Sequence, residues 1–254
     1  MTTDPHLLNA IRFLTVLPTQ QSDCASAPDW LARAIRYFPL VGAGIGLVSA
    51  VVFVVACNIW SPLIASALAV TTSIVLTSAL HEDGLADTVD AFGGGWTLEK
   101  RLAIMKDSRI GTYGALALGL GCALRIAALA TLPIWTGAAA LIAVHAAARA
   151  MPAFVINRLT YAGDTAAMKV SYAEAPVRRD EIIFLLITAA LAAVPLALVS
   201  FKSFAVGLLL GAVLGALLAR WSRRLIGGYT GDVLGAVEQL FEIGFLLGVA
   251  AVIR

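Results

Sequence analysis

The chain has 254 residues, of which 60% are hydrophobic and 13% charged, and its mean hydropathy is +0.89. That composition excludes an ordinary water-soluble domain and indicates an integral membrane protein. A net charge of +2 excludes a strongly basic nucleic-acid binder, so the placement of the charges matters more than their sum.

The opening stretch, "MTTDPHLLNAIRFLTVLPTQ", puts acid before Arg12 and has no small-residue cleavage site. It reads as a short interfacial helix and not as a removable signal peptide. Seven later stretches approach the roughly 20 apolar residues that a helix needs to cross hydrocarbon: 40–60, 62–80, 115–134, 135–157, 182–201, 203–219 and 232–253. "LVGAGIGLVSAVVFVVACNIW" is apolar all round, whereas a soluble core helix keeps a polar face. The expected fold is all-α, a polytopic integral membrane bundle of about seven transmembrane helices forming a single membrane-embedded domain over 1–254. Cys24, Cys57 and Cys122 share no metal-ligand or disulfide spacing and read as small packing residues.

The basic residues test this topology. With seven spans, one set of connections holds Arg12, Arg33 and Arg36, then Lys100, Arg101, Lys106 and Arg109, then Arg158, Lys169, Arg178 and Arg179, and last Arg220, Arg223 and Arg224. The opposite set holds little beyond Lys202 and Arg254. Basic loops stay in the cytoplasm, so the N-terminus is expected inside and the C-terminus outside. The two main cytoplasmic loops are then 81–114 and 158–181, which carry most of the polar side chains and therefore the function. Within the first, "GGGW" breaks any helix, Thr97 can cap a new one, and Leu98, Leu102 and Met105 fall on one face of it. Gly207, Gly211 and Gly215, like Gly42 and Gly46, recur every four residues. Such ridges serve internal helix packing, favoured here, or a homodimer seam.

Three constellations carry chemistry. In "HEDGLADTVD", if it is helical, Asp83, Asp87 and Asp90 form one acidic stripe, because successive residues turn by about 100°. Like charges beside a hydrocarbon layer repel one another, and a divalent cation removes the conflict. Hard oxygen ligands without paired histidine or cysteine favour Mg²⁺, and Gly84 permits a close approach or a helix break. The segment "MKDSRIGTYG" then brings Lys106, Asp107, Ser108 and Arg109 to the start of the next span, where the two bases can grip phosphate oxygens. Acids for a metal and bases for phosphate at one hairpin make phosphoryl transfer the leading chemistry. Finally, "GGYTGDVLGAVEQLFEIG" opens the last span with Asp232 and carries Glu238 and Glu242 into apolar sequence. Arg125, and His145 with Arg149, are possible partners across the bundle, since charge at that depth requires a partner. His145 alone reads as a hydrogen-bonded packing residue.

"LHEDGLADTVDAF", "RLAIMKDSRIGTYGALAL" and "GGYTGDVLGA", with "RYFPLVGAGIG" upstream, together resemble the cobalamin synthase family, the adenosylcobinamide-GDP ribazoletransferases. The resemblance spans most of the chain, and it is the combination and order of the motifs that is specific. Glu82 and Tyr229 depart from what it leads one to expect, which bears on specificity and not on the reaction class. It implies a helical bundle in the bacterial cytoplasmic (inner) membrane with its active site facing the cytoplasm. There a hydroxyl of α-ribazole, or of α-ribazole 5'-phosphate, attacks the corrinoid-side phosphorus of adenosylcobinamide-GDP and releases GMP. Under the resemblance, Asp83, Asp87 and Asp90 are the catalytic residues and hold Mg²⁺, while Lys106, Asp107, Ser108, Arg109, Thr230 and Asp232 bind substrate. Asp87, Asp90 and Asp232 all remain open as the proton acceptor. The partners implied are the two substrates, the lipid bilayer, and a second copy or other enzymes of the pathway, with no nucleic acid.

Two other readings compete. A CDP-alcohol phosphotransferase also joins a membrane acid motif to Mg²⁺, but its pattern has an Asp where Leu80 stands and "AR" where this chain has "AD". An ion-coupled transporter would use Arg125, Glu238 and Glu242 as its path. Against it, the polar residues concentrate in the loops.

Overall fold

The computed structural model describes residues 4–19, 29–163 and 176–253. Cys24, Lys169, Arg254 and the middle of the 158–181 loop lie outside the described residues. The helices are α1 (Pro5–Leu14), α2 (Trp30–Ala34), α3 (Phe38–Cys57), α4 (Pro62–Leu76), α5 (Leu80–Gly94), α6 (Leu98–Met105), α7 (Thr112–Ala130), α8 (Ile134–Ala148), α9 (Met151–Ile156), α10 (Arg179–Val199), α11 (Phe201–Ile226) and α12 (Gly231–Val252). Six segments are long and apolar enough to cross a membrane, or seven if α4 and α5 count as one bent span. The chain is a multi-pass helical membrane protein.

Local chemistry sets the helix ends at the polar end of the bundle. Asp4 caps α1 by accepting from the His6 amide at 2.8 Å and also accepts from Tyr37 and Arg36. This ties the first helix to the start of α3. Burial works against the charge of Asp4, yet the bonds from Tyr37 and the His6 amide, with the Arg36 charge, hold its carboxyl below the usual range. Arg33 of α2 donates from one guanidinium nitrogen to both oxygens of Glu181 at 2.7 and 2.8 Å, and Glu181 accepts from the Arg178 amide at the start of α10. Thr97 caps α6 through the Lys100 amide, as its position predicts. Gly227, at φ 78°, ends α11 in the left-handed conformation that L side chains disfavour.

The apolar stretch 62–80 predicts one continuous span, and here the structure differs. α4 stops at Leu76, Ser78 and Ala79 adopt left-handed φ angles of 51° and 55°, and α5 leaves at 90° to α4. The acid stripe therefore rides on a helix inside the bundle, packed on α12 and α7, and is not part of an open loop.

α12 is the central element, buried along most of its length from Val233 to Val249. Its seam with α11 is built on small residues: a Cβ on Gly211 would stand 2.8 Å from the Phe241 carbonyl oxygen, and one on Gly244 would stand 2.9 Å from the Leu210 carbonyl oxygen. Gly46 likewise lets α3 approach the Leu141 carbonyl of α8. Both glycine ridges are thus occupied by internal packing, the favoured expectation of the two.

Charge is buried at the crossing of α5, α7, α8 and α12. Arg125 reaches Glu242 and Glu82, each at 3.0 Å. Glu242 also accepts from Arg149 at 2.8 Å and meets His145 Nδ1 at 2.9 Å, and Gln239 donates to Glu82 at 3.2 Å. All six side chains are buried. The partners expected from sequence are therefore found for Glu242, whereas Glu238 lies beside His81.

Two outcomes follow for stability. Gly211→Leu forces α11 off a backbone oxygen and costs about 1–3 kcal/mol, lowering the unfolding temperature in detergent. Gly119→Ala, whose added carbon meets nothing within 4 Å, does not lower it and, by removing a glycine from a helix interior, raises it slightly; an equal drop in the two variants would contradict the packing. Glu242→Gln leaves Arg125 and Arg149 without their shared carboxylate and costs about 3–5 kcal/mol, which the same melts would detect.

Candidate active site

α5 presents two charged faces. Glu82 points inward to Arg125, while Asp83 is exposed and Asp87 half-buried on the opposite side. Helix geometry dictates this split, since adjacent residues stand about 100° apart and residues four apart align. Gly84 brings α5 against the start of α12, where a Cβ would stand 2.7 Å from the Asp232 carbonyl oxygen. Asp87 is partly withdrawn from water and lies in the field of Asp83, Asp232, Asp90 and Asp107, strongest first. Five carboxylates from α5, α12 and the α6–α7 loop thus share one region.

Asp90 differs from its neighbours on the stripe. It is buried, and its two oxygens accept from the Gly111 and Gly114 amides at 2.7 and 2.8 Å. The spacing predicts a stripe of three metal ligands; in the structure both oxygens of its third member, Asp90, accept from backbone amides at the start of α7. Among the described residues no three histidine, cysteine or acidic side chains converge as a ready metal site. The oxygen chemistry of Asp83, Asp87 and Asp232 nonetheless suits Mg²⁺, which completes its shell with waters and substrate phosphates.

The tether from Asp90 holds the loop 106–111 beside the acids. Within it Arg109 binds Asp107 through paired contacts of 3.0 and 2.6 Å. The Arg109 side chain and backbone amide hold the Asp107 carboxyl down to about 2, so this exposed pair stays ionised at physiological pH. Lys106 and Ser108 are exposed on the same loop. Thr230 is buried; its hydroxyl accepts from the Val233 amide at 3.3 Å to cap α12 and lies 3.4 Å from Asp232. Its hydroxyl therefore serves the helix start beside Asp232.

A cavity of about 340 Å³ opens beside these acids, with Asp83, Asp232, His81 and Glu238 in its wall. A larger hollow of about 630 Å³ between α9 and α11 gathers Arg158, Arg220, Arg223 and Arg224 but no carboxylate. The smaller cavity is the one that adjoins the acids. His81, which stands inside the acid motif, also lines this cavity and lies beside Glu238.

Comparison with known proteins identifies the family. The sequence model of a family described as cobalamin-5-phosphate synthase matches residues 6–250. An adenosylcobinamide-GDP ribazoletransferase of Shewanella amazonensis is 40% identical over 239 residues, covering 93% of this chain and 91% of the relative. Proteins of the same name from Azorhizobium caulinodans and Bradyrhizobium diazoefficiens are each 44% identical, covering 94% and 95% of this chain and 93% and 92% of their own. No solved structure matches the chain. With a family match along nearly its whole length and the motif acids gathered at one end of a membrane bundle, the chain belongs to the cobalamin-5-phosphate synthase family, the adenosylcobinamide-GDP ribazoletransferases.

Proposed function

We propose that the acid-bearing end of the bundle joins α-ribazole, or α-ribazole 5'-phosphate, to adenosylcobinamide-GDP. The hydroxyl oxygen forms a bond to the corrinoid-side phosphorus, the bond from that phosphorus to the GMP oxygen breaks, and the hydroxyl proton leaves to solvent or a nearby carboxylate. The observation that carries this reading is the gathering of Asp83, Asp87 and Asp232 beside a basic loop that Asp90 tethers.

Asp83 and Asp87, with Asp232 across from them, would hold Mg²⁺. Bound there, the ion supplies charge neutralisation for the pyrophosphate and for the departing GMP. Asp90 fixes the loop and leaves the metal to its neighbours. Lys106 and Arg109 grip phosphate oxygens, Arg109 held in place by Asp107, while Ser108 offers a further hydroxyl. Thr230 aligns Asp232 from the helix start. The basic loops turn this end to the cytoplasm of a bacterial inner membrane, where a large corrinoid can lie across the surface and other enzymes of the pathway can dock.

GMP release by the protein in lipid tests the reading. Asp83→Asn and Asp87→Asn lower the rate by about 100-fold or more, and omission of Mg²⁺ abolishes release. Asp90→Asn keeps one acceptor for the loop amides and loses only about tenfold. Full activity of Asp83→Asn and Asp87→Asn in correctly inserted protein would contradict the assignment.

A further inference from the structure

The hollow of about 630 Å³ between α9 and α11 is walled by four arginines and no carboxylate. Arg220, Arg223 and Arg224 lie at i, i+3 and i+4 on the last turns of α11, so their side chains share one face. Arg158, just past α9, closes the hollow from the other side, its guanidinium over the Phe154 ring at 6.0 Å from the centroid. None of the four has a carboxylate partner among the described residues. Like charges at this spacing repel one another. The end of the helix dipole and the water side of a membrane both favour arginine, and either accounts for a basic helix end. Neither accounts for four arginines converging on one concavity, which suits a bound phosphate.

A second hollow, of about 680 Å³, runs between α11 and the helices α5, α7 and α12, and it shares Arg220 and Arg224 with the first. Apart from those arginines and Trp221, its wall is aliphatic side chains and a glycine. On α11 it extends from Leu214 to Arg224, about 15 Å at about 1.5 Å per residue. That is the depth of one leaflet in a hydrocarbon core roughly 30 Å thick. Trp221, at the arginine end, is exposed and stands edge-on to Phe92, as tryptophans do at a membrane interface. Positive charge above and an aliphatic groove one leaflet deep match the two halves of a phospholipid.

We infer that the end of α11 binds one anionic phospholipid, its phosphate on Arg220, Arg224 and the arginines beside them, its acyl chain in the aliphatic groove. A soluble phosphate leaves the groove unused, and a zwitterionic lipid brings an ammonium group against the arginines. Basic pockets between membrane helices select anionic headgroups, each arginine adding about fivefold in affinity. Asp83, Asp87 and Asp232 line neither hollow, so the site is separate from the acids and does not depend on the transfer reaction. α11 ends next to the start of α12, which puts the lipid in the leaflet nearest the acids.

Native mass spectrometry of the protein in a neutral detergent, titrated with dioctanoyl phosphatidylglycerol or dioctanoyl phosphatidylcholine, tests the site. Wild-type protein binds one phosphatidylglycerol about tenfold or more tighter than phosphatidylcholine. Arg220→Gln combined with Arg224→Gln lowers the phosphatidylglycerol affinity by about tenfold or more and leaves that for phosphatidylcholine within about twofold. Arg12→Gln combined with Arg179→Gln removes the same charge from exposed positions outside both hollows and changes neither affinity. Arg158→Gln, on the far wall, loses about fivefold and decides the matter if the α11 pair does not fold. Equal wild-type affinity for the two lipids would overturn the site, as would an equal loss in the Arg12 and Arg179 pair. Glycerol 3-phosphate or GDP that displaces phosphatidylglycerol at the lipid's own concentration would give the arginines to a soluble phosphate and overturn the lipid.

Discussion

Arg125 holds the structure's polar interior together. Its guanidinium reaches Glu82 on α5 and Glu242 on α12 from α7, and Glu242 passes the connection to His145 on α8 and to Arg149 just past its end. In a low-dielectric interior, removing any one charge strands the others, so these helices are bound to one arrangement. Glu82 lies next to Asp83, and fixing one face of α5 inward therefore fixes the rotation of the other. The buried network determines where the exposed acids point.

Close packing completes what the charges begin. Gly84 admits the Asp232 backbone, and the glycines of α11 and α12 seat α12 in the centre of the bundle. Asp90 then anchors the loop before α7 through two amides. The result places carboxylates from three chain segments beside a cavity with an apolar wall.

Much of this was legible in the sequence, and the reasons are physical. Long apolar runs have few alternatives to membrane helices, so the spans at 40–60 and 232–253 appear close to where α3 and α12 lie. The stripe of Asp83 and Asp87 follows from helical period alone. Arg125, His145 and Arg149 are readable as partners because charge within a membrane must be matched. The break between α4 and α5 is not legible, since Ser78 and Ala79 take left-handed angles without a glycine or asparagine to announce them. Nor is the fate of Asp90, because period places it on the stripe while its partners lie 21 and 24 residues away. His81 meets Glu238 only through the packing of α5 on α12, and no local pattern reports that contact.

The most direct test is the affinity for Mn²⁺, used in place of Mg²⁺ and read by electron paramagnetic resonance on the protein in lipid with the corrinoid nucleotide present. If the buried network sets the acids, Glu82→Gln weakens Mn²⁺ binding by about tenfold or more although Glu82 turns inward to Arg125, away from Asp83. Wild-type affinity in a folded Glu82→Gln protein would contradict the account.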